Sequence, residues 1–131
     1  MAVDHAMPVL VVDDYQAIVR IIHNLLRQAG FADVDGASDG EEALAKMKAR
    51  KYGLVIADWY MNPVDGLELV KQAKADDGLK DTPIILVSAE AAPEKVATAR
   101  SAGAAAYLLK PFDAQTLKAR IETALEADGR A

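Results

Sequence analysis

The chain has 131 residues, of which 52% are hydrophobic and 27% are charged, and its formal net charge is −5. This composition is typical of a globular protein with one domain, and the acidic balance argues against a nucleic-acid-binding face. The lack of cysteine excludes disulfide scaffolds, thiolate zinc sites and thiol nucleophiles. No apolar run reaches the ~20 residues that span a bilayer, and no signal peptide is recognisable, so we expect a cytoplasmic protein without membrane insertion.

Short apolar runs alternate with helical patterns along the whole chain. The first run, at 9–12, ends on two aspartates and is followed by apolar residues at helical spacing. Further strands are predicted at 32–37, 53–57, 83–87 and 105–109, each followed by a helical pattern. Ser38 with Glu41 forms a capping-box pattern before the second helix, and Asp65 and Asp113 are suitable N-cap residues for two later helices.

The alternation of strands and helices predicts the fold class. Four of the five predicted strands are continuous apolar runs, as expected for strands that are buried on both faces. Repeated strand–helix units imply a parallel sheet with helices on both sides, joined by right-handed crossovers. We therefore predict a doubly wound, flavodoxin-like (βα)5 fold with strand order 2-1-3-4-5. No linker interrupts it, so we expect a single domain over 1–131 and no output domain.

Polar residues follow four of the predicted strands at the point where each strand ends. Asp13 and Asp14 follow the first strand, and Asp58 follows the third. Ser88 and Lys110 follow the fourth and fifth strands. Because ligands bind at the carboxyl ends of the strands in such sheets, we expect a shared site of three carboxylates, a hydroxyl and an ammonium.

Such a cluster requires a cation. Two carboxylates about 4 Å apart repel each other by about 4 kcal/mol near a protein surface. Lys110 can offset one negative charge, and a hard divalent ion such as Mg²⁺ can offset two more. With both cations present, a phosphoryl group is tolerated, and an aspartate is a suitable covalent nucleophile for it. Taken alone, Asp14 could equally be a helix cap and Asp58 a turn residue, but the coincidence of all five residues favours a site.

Five segments, taken in their order and spacing, carry a family resemblance. They are Val11-Val12-Asp13-Asp14, Asp58-Trp59-Tyr60-Met61, Asp65-Gly66, Val87-Ser88-Ala89-Glu90-Ala91 and Tyr107-Leu108-Leu109-Lys110-Pro111-Phe112. With them the chain resembles the receiver domain of bacterial two-component response regulators, closely the single-domain, chemotaxis-type (CheY-like) members. The resemblance covers a core of about residues 8–127.

The resemblance implies definite roles for the residues of the expected site. Asp58 would be the phosphoacceptor, and Ser88 and Lys110 would bind phosphoryl oxygens. Mg²⁺, with Mn²⁺ as an alternative metal, would be held by the carboxylates of Asp13, Asp14 and Asp58 and the backbone carbonyl of Tyr60.

Further roles follow from the same resemblance. Ser88 and Tyr107 would form the conformational switch, and Tyr60 and Glu90 would tune the lifetime of the phosphoryl group. The peptide bond between Lys110 and Pro111 would be cis. The segment after the phosphoacceptor departs from the family pattern, because Asn62 stands where proline is usual and Pro63 comes one residue later.

The resemblance also implies the partners. A histidine kinase or a phosphotransfer protein would supply the phosphoryl group, directly or within a phosphorelay. A separate protein would read the state at the face formed by helix 4, strand 5 and helix 5. The protein would be a monomeric switch that catalyses only its own phosphorylation and dephosphorylation.

Two other functions remain open from the sequence. One is a pseudo-receiver, which keeps the fold as an interaction module but takes no phosphate. The other is an enzyme, such as an aspartate-based phosphatase or a nucleotide-binding protein. The chain has neither a Gly-x-x-x-x-Gly-Lys loop nor a Gly-x-Gly-x-x-Gly motif after strand 1, and Asp13-Asp14 does not match the Asp-x-Asp pattern of such phosphatases.

Overall fold

Five strands and five helices alternate along the chain in the computed structural model, which describes residues 4–127. The strands are β1 (Val9–Val12), β2 (Val34–Ala37), β3 (Leu54–Asp58), β4 (Ile84–Ser88) and β5 (Ala106–Leu109). The helices are α1 (Gln16–Gln28), α2 (Gly40–Ala49), α3 (Gly66–Ala75), α4 (Pro93–Ala102) and α5 (Ala114–Ala127). None of the helices in this described range has the length and apolar character needed to cross a membrane.

All five strands form one parallel sheet in the order β2-β1-β3-β4-β5. This arrangement confirms the predicted doubly wound, flavodoxin-like fold. In the register, Val12 pairs with Ala57, and Asp58 pairs with Val87. The ends of β1, β3 and β4 therefore lie side by side, with β3 at the centre of the sheet.

The sheet separates two hydrophobic clusters, because successive side chains of a strand point to opposite faces. Val9 and Val11 of β1 pack with buried residues of α1 and α5. Leu10 and Val12 pack on the other face with residues of α2, α3 and α4. Residues of the central strands are essentially inaccessible to solvent, which explains why their sequences are continuous apolar runs.

The predicted start of α2 is wrong by one residue. Asp39, not Ser38, is the N-cap, and its side chain accepts a hydrogen bond from the backbone N–H of Glu42 at 2.8 Å. Glu42, rather than Glu41, reaches back, and its Oε1 accepts bonds from the backbone N–H and the hydroxyl of Ser38 at 2.8 and 2.6 Å.

A tertiary contact accounts for this shift. The backbone N–H of Gly40, the first residue of α2, donates to the carbonyl of Val64 at 3.0 Å. A Cβ atom at Gly40 would lie only 2.6 Å from that carbonyl oxygen, so the close approach requires glycine. The contact with the loop between β3 and α3 therefore determines that α2 begins at Gly40.

The strand boundaries also differ slightly from the prediction. Strand β2 begins at Val34, two residues later than expected, and β5 begins one residue later. Strands β3 and β4 each start and end one residue later, so Asp58 and Ser88 are the last residues of strands and not the first residues of loops. Both side chains are consequently buried at the edge of the core.

A charged clamp lies at the edge of the sheet that β2 forms. The guanidinium of Arg50 binds the carboxylates of Asp33 and Asp35, with nitrogen–oxygen distances of 2.5 and 2.8 Å. The hydroxyl of Tyr52 donates to Asp35 at 2.6 Å. Burial, followed by the hydrogen bond to Asp35, raises the pKa of Tyr52 to about 12. The segment between α2 and β3 is thus tied to the edge strand.

Candidate functional site

Three aspartates meet at the carboxyl edge of the sheet, where β1 and β3 end side by side. Oxygen atoms of Asp13, Asp14 and Asp58 all lie within 4.8 Å of one another. Asp13 and Asp58 are buried, whereas Asp14 is exposed to solvent. Asp14 is not a helix cap, because α1 has Tyr15 at its N-cap position with no side-chain capping bond.

Lys110, which directly follows β5, is oriented towards this cluster. Its ammonium nitrogen lies 2.6 Å from Oδ1 of Asp58 and 3.7 Å from Oδ2 of Asp13. Burial acts to lower the pKa of Lys110, but the hydrogen bond and the negative charge of Asp58 outweigh it, so the pKa is raised. Lys110 is therefore charged, and it offsets only one of the three carboxylates.

Asp13 has the most unfavourable surroundings of the three. Burial, together with the nearby charge of Asp58, raises the pKa of Asp13 despite the hydrogen bond that Oδ1 accepts from the backbone N–H of Tyr15. Its Oδ2 atom is buried and accepts no hydrogen bond from any residue between 4 and 127. The Lys110 ammonium, at 3.7 Å, is too far from this oxygen to donate a hydrogen bond. A buried carboxylate oxygen without a hydrogen bond is costly, and a metal cation bound to it would remove the cost.

These residues fit a hard divalent cation. Mg²⁺ prefers one or two protein carboxylates and completes its octahedron with water or phosphate oxygens. The three convergent carboxylates, one of them open to solvent, offer that donor set. The site can therefore hold Mg²⁺ through Asp13, Asp14 and Asp58. The ion would supply positive charge beside the Asp58 carboxylate.

Ser88 lies on the neighbouring strand, and its hydroxyl is engaged within its own loop. The backbone N–H of Glu90 donates to Oγ of Ser88 at 3.1 Å, so the hydroxyl retains its own proton for donation. The backbone N–H of Lys110 donates to the carbonyl of Ser88 at 2.8 Å, which joins the ends of β4 and β5. The Lys110–Pro111 peptide bond is cis, and so is the bond between Asn62 and Pro63.

Tyr60 and Glu90 are joined by a hydrogen bond across the mouth of the site. The Tyr60 hydroxyl donates to Oε1 of Glu90 at 2.8 Å, and the backbone N–H of Tyr60 donates to Oδ2 of Asp58 at 3.2 Å. The Tyr107 hydroxyl donates to the backbone carbonyl of Glu90 at 2.6 Å. The loop after β4 is therefore bonded both to the loop after β3 and to strand β5.

Trp59, which follows Asp58, is buried under this bridge, with 4% of its surface exposed. Its ring stacks on that of Tyr60 and forms a T-shaped pair with the Tyr107 ring, with centroid distances of 6.1 and 6.2 Å. The ammonium of Lys95 lies 4.9 Å from the centre of the Trp59 ring. Nothing in the sequence pattern indicated Lys95, because it is an ordinary charged residue beside Glu94 in the first turn of a helix.

Comparisons with known proteins agree with this geometry. Residues 9–122 match the family described as the response regulator receiver domain. The chain belongs to this family. It is 39% identical over 120 residues to the chemotaxis protein CheY-3 of Vibrio cholerae, with 92% of each chain covered. It is also 39% identical over 120 residues to the chemotaxis protein CheY of Pseudomonas aeruginosa, with 92% of this chain and 97% of that protein covered.

Solved structures give the same result for the fold. The chemotaxis response regulator CheY4 of Vibrio cholerae is similar with a TM-score of 0.84 and 35% identity, covering 92% of this chain and 99% of that one. The receiver domain of a Francisella response regulator has a TM-score of 0.82 and 31% identity, with coverages of 92% and 97%. The predicted family of CheY-like receivers is thus confirmed.

Proposed function

We propose that the protein is a phosphorylation-activated signalling switch in which Asp58 accepts a phosphoryl group in a Mg²⁺-dependent reaction. The observation that carries this proposal is the ammonium of Lys110, 2.6 Å from Asp58, beside the two further carboxylates of Asp13 and Asp14. In the reaction, a carboxylate oxygen of Asp58 attacks the donor phosphorus while the bond from phosphorus to the leaving group breaks. The leaving group departs with that electron pair.

The residues around Asp58 position the incoming group and neutralise its charge, which is most of what phosphoryl transfer requires. Lys110 would bind one phosphoryl oxygen, and the Ser88 hydroxyl would donate to another. The metal, Mg²⁺ or Mn²⁺, would be held by the three aspartates and the backbone carbonyl of Tyr60. Oδ2 of Asp13, which is buried and accepts no hydrogen bond from the described residues, supports a cation at this position.

A histidine kinase or a phosphotransfer protein would donate the phosphoryl group, and the phosphorylated protein would bind a separate partner. We assign the output to the face of α4, β5 and α5. A groove of about 400 Å³ lies there, lined among others by Val96, Arg100, Tyr107, Leu109 and Arg120. Its residue Tyr107 is bonded to the carbonyl of Glu90, so a movement of the Ser88–Glu90 loop would be transmitted directly to this face.

Tyr60 and Glu90 would set the lifetime of the phosphoryl group. Hydrolysis of an aspartyl phosphate requires a water molecule to approach the phosphorus from outside the site. Tyr60 and Glu90 are hydrogen-bonded to each other, and their backbone N–H groups donate to Asp58 and Ser88, so the pair would obstruct that approach. We therefore propose a slow intrinsic loss of phosphate and a protein that acts as a monomeric switch without turnover of other substrates.

Labelling with a small phosphodonor tests the function. Incubation with an acyl phosphate and Mg²⁺ is expected to add one phosphoryl mass to the wild type and none to Asp58→Asn. Asp77→Asn is the matched control, because Asp77 is 99% exposed on the α3–β4 loop at the opposite edge of the sheet. Unchanged labelling of Asp58→Asn would contradict the assignment, and no labelling of the wild type would favour an interaction module.

A further inference from the structure

Lys95 makes contacts that the proposed chemistry does not use. It lies in the first turn of α4, and its ammonium is 4.9 Å from the ring centre of Trp59 and 5.4 Å from that of Tyr60. The same nitrogen is 3.9 Å from Oε2 of Glu90. A cation at this distance over two aromatic rings is attracted by both. Lys95 therefore holds α4 against the two residues that directly follow Asp58.

The carboxylate of Glu90 is shared between two partners. Its Oε1 atom accepts the hydrogen bond of Tyr60, and its Oε2 atom faces Lys95. Lys95 thus contacts both residues that form the Tyr60–Glu90 hydrogen bond. The Tyr60 hydroxyl, more than the Glu90 carboxylate, raises the pKa of Lys95, so the ammonium is charged at neutral pH.

We infer that Lys95 is a positioning residue that keeps the Tyr60–Glu90 bridge closed over Asp58 and thereby prolongs the lifetime of the phosphoryl group. This inference rests on the proposed function. Both side chains of the bridge are about half exposed, so their hydrogen bond competes with water and opens readily unless it is supported. The cation supports it by fixing the aromatic ring at one end and the carboxylate at the other.

The expected effect is moderate because Lys95 lies near the surface. Loss of its charge is expected to accelerate autodephosphorylation by about two- to fivefold, the range of equilibrium change that an exposed cation–π contact produces. Affinity for Mg²⁺ is expected to stay at the wild-type value at moderate salt, since Lys95 contacts the side chains of Tyr60 and Glu90 and not the carboxylates or the Tyr60 backbone carbonyl that would hold the metal.

The experiment compares decay of the phosphorylated protein in the wild type and four variants. Lys95→Met and Lys95→Gln remove the charge and keep most of the side chain, whereas Lys95→Arg keeps the charge and is expected to restore a slow decay. Lys51→Met is the matched control, because Lys51 is exposed before β3, at the opposite edge of the sheet. Trp59 emission during a Mg²⁺ titration reports metal binding for each variant.

Each outcome has a definite meaning. Faster decay in Lys95→Met and Lys95→Gln, with unchanged Mg²⁺ affinity and rescue by Lys95→Arg, supports the inference. If labelling is normal but decay is the same in wild type and both neutral variants, Lys95 has no positioning role and the proposed function stands. If the wild type takes no label, the proposed function fails, and the inference fails with it.

Discussion

Gly66 begins α3 directly beneath the strand that ends in Asp58. Its backbone N–H donates to the carbonyl of Trp59 at 2.8 Å. A Cβ atom at Gly66 would lie 2.3 Å from the carbonyl oxygen of Asp58 and 2.8 Å from Cδ2 of Leu86. The first separation is about 1 Å shorter than a normal contact. Because the obstructing atom belongs to the backbone of β3, a small side-chain movement cannot relieve the clash.

The substitution Gly66→Ala should therefore displace the end of β3 or push α3 outwards. Insertion of extra atoms into a packed region costs about 1–3 kcal/mol, and a clash with backbone belongs at the upper end, so we expect a loss of about 2–3 kcal/mol. A displacement of about 1 Å at a reacting group can lower a rate by about 100-fold. We expect the labelling rate of Asp58 to fall by a comparable factor.

Urea unfolding followed by Trp59 emission measures the stability, and labelling with an acyl phosphate measures the rate. Gly78→Ala is the control, because a Cβ atom there would approach only a side-chain oxygen of Asp76, at 3.3 Å, on an exposed turn. This variant should stay within about 0.5 kcal/mol of the wild type. A Gly66→Ala protein with the stability and labelling rate of the wild type would refute the reasoning.

Four further results are expected. Trp59 emission should change and saturate on addition of Mg²⁺. Both Asp14→Ala and low pH should weaken Mg²⁺ binding. A flat emission response, with no binding detected by calorimetry, would speak against the metal site. Tyr60→Asn should accelerate autodephosphorylation, because the phenol no longer obstructs water; an equal or slower rate would count against shielding. Tyr107→Ala should reduce the phosphorylation-induced changes in amide chemical shift on the α4–β5–α5 face, because it removes a coupling free energy of ~1–3 kcal/mol between the site and this face. Unchanged shifts would exclude transmission through Tyr107. The Tyr52 phenol has a pKa of about 12, above its unfolded value near 10. Its contribution to stability should therefore be constant below pH ~10 and lost as pH rises towards ~12. Absorbance titration of the wild type, compared with Tyr52→Phe, checks the raised pKa.

The sheet and the acidic cluster could be predicted because both depend on local patterns that leave few alternatives. A buried parallel strand needs an apolar run, and the residue after that run must lie at the carboxyl edge. The predicted strand ends therefore meet at one place, where the structure has the side chains of Asp13, Asp14, Asp58 and Lys110. Strand β2 was less well predicted because its sequence, Val34–Ala37, is short and includes aspartate and glycine.

Features that depend on contacts between loops could not be predicted. Two adjacent residues, Ser38 and Asp39, are both good helix caps, and the contact between Gly40 and Val64 selects the second. The position of Lys95 depends on a long side chain reaching across two loops, which neither spacing nor composition encodes. Such contacts are decided only when the whole chain is folded.

The charged clamp at β2 also affects how copies of the protein meet one another. An outer strand of a sheet presents unpaired N–H and C=O groups, which can recruit a strand from a second molecule and start aggregation. Here the outer strand is four residues long, and its neighbourhood carries Asp33, Asp35 and Arg50 in a fixed ion-pair cluster. A strand approaching this side would have to displace charged groups that already have partners. The clamp should therefore protect the β2 edge of the sheet from pairing with a strand of a second copy.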